Sequence, residues 1–496
     1  MRWLWLLLWS TTSWAVPIVL EGDLPDGGPD FVMIPFDVPA GTEEISVTHP
    51  KLQPENILDY GVFDPNGFRG WGGGNDEPAI VGRLAASRSY LAGPMPGGQW
   101  SVLIGKAKII VSPARYRLEI DVLSVATLPA QPARAPYAPA ARLSEETRWY
   151  AGDLHVHSRE SGDASPTMDE VAAFARSRGL DFVEYSEHNT VAQLDFFGDV
   201  QSRHPDVLLL PGVEFTTYAG HANGIGATRY VDHRLGFGEV TLEAALADFA
   251  SQDMVLSLNH PLLDLGQTCI GCAWKHRIPR EQLRAVEIGT GGFDKTGLIF
   301  GKSTIAWWER LSAQGLHLAP VGGSDDHSAG TGTGMFDSPI GSPTTMVFAA
   351  GLDAAAIVDG IRKGHTVVKL QGPSDPMVDL RIGDGMVGDT VVAHAPVLKV
   401  TVTGGAGSKL VVFKDGAELV SAEVTSDPFE LTDMASGGRY RAEAQIAGQP
   451  RTVTGNLWVE SPVNPPPMGC SCGGGGEFLV LALLLLLSRS PRRGEG

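Results

Sequence analysis

Asp153-Leu154-His155-Val156-His157 is the stretch on which the reading of the fold turns. Two imidazoles flank one apolar residue, and residues i and i+2 of an extended strand point to one face, so this pair can grip a single metal ion. Comparable segments recur down the chain: Ser186-Glu187-His188-Asn189, Pro211-Gly212-Val213-Glu214, Gly220-His221-Ala222-Asn223, Asn259-His260-Pro261 and Gly323-Ser324-Asp325-Asp326-His327. Short apolar runs predict strands over 180–186, 206–213, 254–259, 285–288 and 316–321, interleaved with helices such as 241–252 and 303–314. A further helix opens at Ser165-Pro166, as N-cap and first turn, and ends near Gly179. Repeated strand–helix units predict an α/β domain, either a parallel barrel or a doubly wound sheet, over residues 149–370. In such folds the strand C-termini converge on one face, so the histidines and carboxylates at those ends meet there. Eleven of the 13 histidines fall between 155 and 365. Imidazole with carboxylate is a donor set for zinc, manganese or iron.

The flanks read differently. In residues 16–123, Tyr116, Leu118, Ile120 and Val122 alternate with charged residues, and Trp100, Val102 and Ile104 form a similar strand, which predicts a β-sandwich. Residues 124–148 are a Pro/Ala-rich linker. Residues 371–460 return to alternation, with Asp415-Gly416 as a hairpin turn, and predict an immunoglobulin-like β domain of about seven strands. Asp and Glu total 57 against 38 Lys and Arg, a net charge of −19, which argues against nucleic-acid binding because neutralising phosphates takes a basic surface. No phosphate-loop or dinucleotide glycine fingerprint stands out in the central segment, and Trp307-Trp308 reads as helix packing. Cys269-Ile270-Gly271-Cys272, with His276 nearby, fits a local disulfide, part of a zinc site or a redox pair.

The two ends suggest export. Arg2 precedes an apolar run from Trp3 to Trp9, and small residues at Ser13 and Ala15 place a cleavage site after Ala15, so residues 1–15 read as a signal peptide. Residues 461–496 combine prolines, Cys470 and Cys472 among glycines, an apolar run from Phe478 to Leu487 and a terminal arginine cluster. Ten helical residues span about 15 Å, half of a hydrocarbon core, so that run does not cross a membrane alone. The tail resembles a myxobacterial C-terminal sorting tag, which implies processing near the cysteines and envelope attachment.

The strand-end segments together resemble the motifs of PHP-domain (polymerase and histidinol phosphatase) metallohydrolases. Gly-His221-Ala-Asn and Gly-Gly-Ser-Asp325-Asp-His327 are similar to the carbaryl-hydrolase branch. The resemblance implies a distorted seven-stranded (β/α) barrel with two to three divalent metal ions. It implies one metal on His155, His157, Glu214 and Asp325, a second on Glu214, His221 and His260, and a third on His188 and His327. Asp163 is the candidate for the ligand that follows the His-x-His pair, and Glu187 stands where the family usually has Asp. Arg159 and His365, in loops expected near the site, are candidates to bind phosphate or protonate a leaving group, and Asp326 to support the ligands. The expected protein is an exported or surface-attached hydrolase that cleaves small-molecule phosphoesters with a metal-activated hydroxide. Carbamate, amide or carboxyl-ester hydrolysis on the same site, and a non-catalytic metal-binding surface module, are the alternatives.

Overall fold

The computed structural model describes residues 17–279, 282–291, 297–334 and 337–462. The signal segment 1–15 and the tail from 463, with Cys470 and Cys472, lie outside the described residues.

The N-terminal unit holds β1 (Ile18–Leu24), β2 (Phe31–Val38), β3 (Glu44–Thr48), β4 (Ile57–Asp64), β5 (Gly67–Gly73), β6 (Ala79–Gly82), β7 (Gly98–Lys108) and β8 (Ala114–Leu123). They form two antiparallel sheets, β1-β8-β3-β6 and β2-β7-β4-β5. Period-two alternation explains the layering: Leu118 and Ile120 of β8 and Trp100, Val102 and Ile104 of β7 turn inward and are buried in one core. The linker is fastened to both neighbours. Gln131 Nε2 donates to Ala86 O at 3.1 Å, and Arg134 Nη1 reaches Asp195 Oδ2 at 2.9 Å.

The central unit is a mixed α/β structure rich in sheet. Its elements are β9 (Arg148–Asp153), α1 (Met168–Ser177), β10 (Phe182–His188), α2 (Phe197–Arg203), β11 (Leu208–Thr217), β12 (Gly220–Ile225), α3 (Leu242–Ala250), β13 (Val255–Leu258), β14 (Ala285–Thr290), α4 (Gly297–Ser312), β15 (Ala319–Gly323), β16 (Thr344–Ala349), α5 (Ala354–Arg362) and β17 (Thr366–Lys369). The sheet runs β15-β14-β13-β12-β11-β10-β9-β16-β17. Among the described residues it has nine strands, of mixed direction: β12 is antiparallel to both β11 and β13, and β16 to both β9 and β17. Gly220-His221-Ala222-Asn223 therefore lies on a strand rather than in a loop. The edge strand β15 meets β16 through a side chain: Thr345 Oγ1 accepts from Gly322 N and donates to Gly322 O, both at 2.8 Å.

The first helix starts two residues later than Ser165-Pro166 suggests. Thr167 caps it, because its Oγ1 accepts from Glu170 N at 3.2 Å while Glu170 Oε2 accepts from Thr167 N at 2.8 Å. Trp308 is fully buried in the core of this unit, against α3 and β14 residues.

The C-terminal unit holds β18 (Met377–Ile382), β19 (Gly385–Met386), β20 (Thr390–Val392), β21 (Val397–Thr403), β22 (Lys409–Lys414), β23 (Ala417–Glu423), β24 (Phe429–Met434), β25 (Gly438–Ile446), β26 (Gln449–Thr454) and β27 (Leu457–Glu460). One layer is β19-β18-β21-β24; the other contains β26-β25-β22-β23, with β27 beside β25 and β20 beside β27. Asp415 and Gly416 join β22 to β23 with φ of 52° and 84°, the left-handed pair a tight hairpin requires. The second layer is not separate from the central sheet: β26 pairs antiparallel with β17.

Candidate metal centre

Parallel pairing of β9, β10 and β11 carries their C-terminal ends to one edge. Just beyond β9, residues 155–157 pair with 325–327, through Asp325 N to His155 O at 2.8 Å and His157 N to Asp326 O at 3.0 Å. His155 and His157 thus sit past the strand proper, on a short extension that keeps both rings on one side. Asp325 and His260 have φ of 56° and 27°, left-handed values that are uncommon for residues other than glycine and that collect at functional sites.

Glu214, fully buried at the β11 end, is the hub. His155 Nε2 lies 3.3 Å from Glu214 Oε1 and 3.2 Å from Asp325 Oδ1. His157 Nε2 lies 3.7 Å from Glu214 Oε2 and 3.2 Å from Asp325 Oδ1. His221 Nδ1 and His260 Nε2 approach Glu214 Oε1 at 3.4 and 3.6 Å. His188 Nδ1 meets Glu214 Oε2 at 2.6 Å, while its Nε2 and that of His327 face Asp163 Oδ2 at 3.3 and 3.6 Å. Three overlapping groups result, each with donor atoms within 4.8 Å of one another: His155/His157/Asp325, His155/Glu214/His260 and His157/His188/His327; His221 and His260 also lie within that distance of the Cys272 sulfur, which is held in a disulfide. The third expected group thus gains His157.

Several of these nitrogens make no hydrogen bond among the described residues. The Nε2 atoms of His155, His157 and His221 are buried without a hydrogen bond. A buried polar atom left unpaired is costly, so the Nε2 atoms of His155 and His157, turned toward Glu214 and Asp325, fit a cation as the missing partner. The second ring nitrogens of His155, His157 and His260 are held. His155 Nδ1 faces Glu287 Oε2 at 3.3 Å, His157 Nδ1 faces Ser161 Oγ at 3.0 Å, and His260 Nδ1 donates to Cys272 O at 3.0 Å. That last bond leaves the His260 Nε2 lone pair free. Asn259 Nδ2 donates to Glu214 Oε1 at 2.9 Å and orients the hub.

The electrostatics agree with a cation-seeking site. Burial works against ionisation of Glu214, yet His188, His155 and His221 hold its carboxyl well below the ordinary range; His155 and His157 do the same for Asp325. Burial lowers His157, to about 3, with His327 and His188 adding repulsion, which keeps that imidazole neutral as a ligand must be. Burial also opposes protonation of His327, but Asp163 raises it to about 9.

Two expected residues fall elsewhere. His365 precedes β17, and because β16 and β17 form an antiparallel turn-back from β9, its position is the opposite end of the sheet; its Nε2 meets Asp389 Oδ1 at 3.1 Å. Arg159 is exposed and lines a separate depression with Arg134, Thr167 and Arg203. Neither faces the cleft. Glu187 also turns away, its Oε1 accepting from Ser158 Oγ at 2.5 Å. Asp326 binds Ser328 N at 2.7 Å and Gly330 N at 2.7 Å, bracing the loop after His327. Cys269 and Cys272 are joined as a disulfide on the cleft wall. Sequence reasoning missed Glu287, although a single carboxylate inside the apolar run 285–288 was its signal. It also missed the opposite wall. The cleft, about 610 Å³, is closed on one side by Asp59, Trp71 and Asn75 of the N-terminal sandwich.

No protein-family model matches the chain. No curated protein matches it either. Among solved structures, it is similar to a two-domain protein of Bacteroides vulgatus containing a predicted PHP-like metal-dependent phosphoesterase, at 17% identity over 66% of this chain and 100% of that one, with a TM-score of 0.36. It is similar to a β-glucuronidase of Bacteroides uniformis at 10% identity over 89% of this chain and 61% of that one, with a TM-score of 0.18. At such scores neither likeness bears on what the chain does.

Proposed function

We propose that this protein is a metal-dependent hydrolase of the PHP type, in the carbaryl-hydrolase branch, with its central sheet serving as the family's distorted barrel. The observation that carries the reading is the convergence of five imidazoles on Glu214, with the buried Nε2 atoms of His155 and His157 left without a hydrogen bond among the described residues. His155, His157, Glu214, Asp325, His221 and His260 would hold two divalent ions, and His157, His188, His327 and Asp163 a third. Imidazole with carboxylate suits zinc, manganese or iron. Such ions supply Lewis acidity toward a phosphoryl or carbonyl oxygen and a water of lowered pKa as nucleophile.

The chain's own groups preorganise that chemistry. Glu287, Ser161 and the Cys272 carbonyl fix ring orientations, Asn259 fixes the hub carboxylate, and the sandwich wall narrows access by bulk water. The substrate is a small-molecule phosphoester. A carbamate, amide or carboxyl ester is the second reading, favoured by one observation: among the described residues no Lys or Arg lines the cleft to pair with a phosphate. Export with envelope attachment rests on the two terminal segments; no helix among the described residues is long and apolar enough to cross a membrane.

The test is elemental analysis of the purified chain with a panel of phosphate, carboxyl and carbamate esters, before and after chelation. Hydrolysis lost to chelator and restored by manganese or zinc supports the proposal, and the panel separates the two readings. A metal-loaded chain inert on every ester points to a binding module instead.

A further inference from the structure

The loop that carries Asp163 is gripped from another part of the chain. Arg88 lies between β6 and β7 of the N-terminal sandwich, yet its guanidinium reaches the central unit: Nη1 donates to Ala164 O at 2.8 Å and Nη2 to Gly162 O at 2.9 Å. These are the carbonyls on either side of Asp163. The neighbouring Ser89 N donates to Glu160 Oε2 at 3.0 Å, and Ser89 O accepts from Thr190 Oγ1 at 2.9 Å. The backbones approach so closely that a Cβ at Gly162 would overlap the Gly72 carbonyl oxygen. The Arg88 side chain is 16% exposed, and its Nε is held by Glu77 Oε2 at 2.9 Å.

We infer that Arg88 is a positioning residue for the metal group that contains Asp163, so that the N-terminal sandwich is a working part of the metal centre. This rests on reading the cluster as a metal centre. A guanidinium presents a planar fork with fixed spacing, which suits two carbonyls on one loop; an ammonium reaches one of them. Asp163 carries a side chain 59% exposed to the cleft, and among the described residues its carboxylate meets only the Nε2 atoms of His188 and His327. Its position is therefore set by its backbone, and Arg88 is what fixes that backbone from the far side.

The full chain, stripped of metal and titrated calorimetrically with Mn²⁺, tests this. Groups that hold metal ligands in place typically change affinity by about 10- to 100-fold when removed. Arg88→Met is expected to weaken the most weakly held ion by that factor while the tighter ions bind unchanged, and His327→Ala is expected to weaken the same ion. Arg88→Lys should give an intermediate loss, and Glu77→Gln none. If Arg88→Met does not fold, Arg88→Lys decides by the same readout. A wild type that loads while the Arg88 variants load equally well overturns this inference alone. A wild type that takes up no metal overturns it together with the proposed function.

Discussion

Two β-sandwiches flank the central sheet, and they relate to it in opposite ways. The N-terminal one meets the ligand-bearing edge: Asp59, Trp71 and Asn75 line the cleft, and Tyr218 after β11 donates to Asp59 Oδ2 at 2.7 Å. Its docking surface is aromatic. Phe31 stacks on Tyr218 at 5.4 Å and Phe68 on Tyr230 at 3.7 Å, with His233 edge-on to Trp71 at 4.5 Å. The C-terminal sandwich extends the sheet sideways through β17 and β26 and is tied to α4, where Glu309 receives Arg439 at 2.8 Å and Arg441 at 2.5 Å. None of its described residues lines the cleft. Two units of one architecture thus separate by docking: one shapes the site, the other buttresses the scaffold.

Mutations can break this contrast. The largest effect belongs to the site that only one sandwich touches. His155→Ala removes a nitrogen shared by two donor groups, and hydrolysis is expected to fall by at least about 10³-fold with reduced bound metal. Turnover and metal content at wild-type levels would remove His155 from the centre.

Next comes the buttress. Glu309→Ala leaves Arg439, with a side chain 7% exposed, without its carboxylate, and leaves Arg441 only Glu443 at 2.6 Å. Removing one partner of a buried ion pair typically costs about 3–5 kcal/mol. Chemical denaturation should show that loss while metal stoichiometry stays constant. A fall in bound metal would erase the distinction between the two sandwiches.

The N-terminal docking should respond to acid. Burial holds His233 down to about 3, against an ordinary 6.5, and its ring packs between Phe31 and Trp71. The unfolded chain therefore takes up this proton first as pH falls. The contribution is complete above pH 6.5 and is lost as pH falls toward 3, about 2 kcal/mol by pH 5. Unfolding free energies at pH 7 and 5 should show this extra loss in the wild type and not in His233→Gln; parallel behaviour would contradict it. The smallest effect is expected from Asn75→Ala on the cleft wall, a change in KM below about tenfold with metal content unaltered.

Much of the ligand set was legible because the donors are chemically rare and follow apolar runs at fixed positions. Strand parity and the parallel direction of β9 to β11 then account for their meeting. Direction also explains the failures. His365 follows a helix as the site loops follow strands, but the antiparallel β16–β17 pair carries it to the far end. The glycine-rich segment around His221 has no strand periodicity of its own; pairing with β11 and β13 makes it a strand. Arg88 and Asn75 left no local trace, since their roles arise from docking between segments more than 70 residues apart in the case of Arg88 and Gly162.

Glu214 offers the most direct test of the metal centre, because its carboxylate lies against five of the imidazoles. Elemental analysis after exhaustive dialysis, on the wild type and on Glu214→Gln, reads it without reference to any substrate. The wild type is expected to retain at least two equivalents of a divalent transition metal per chain, as the overlapping donor groups require, and Glu214→Gln to lose them while staying folded. A wild type without bound metal, or a variant that retains it all, would contradict the assignment.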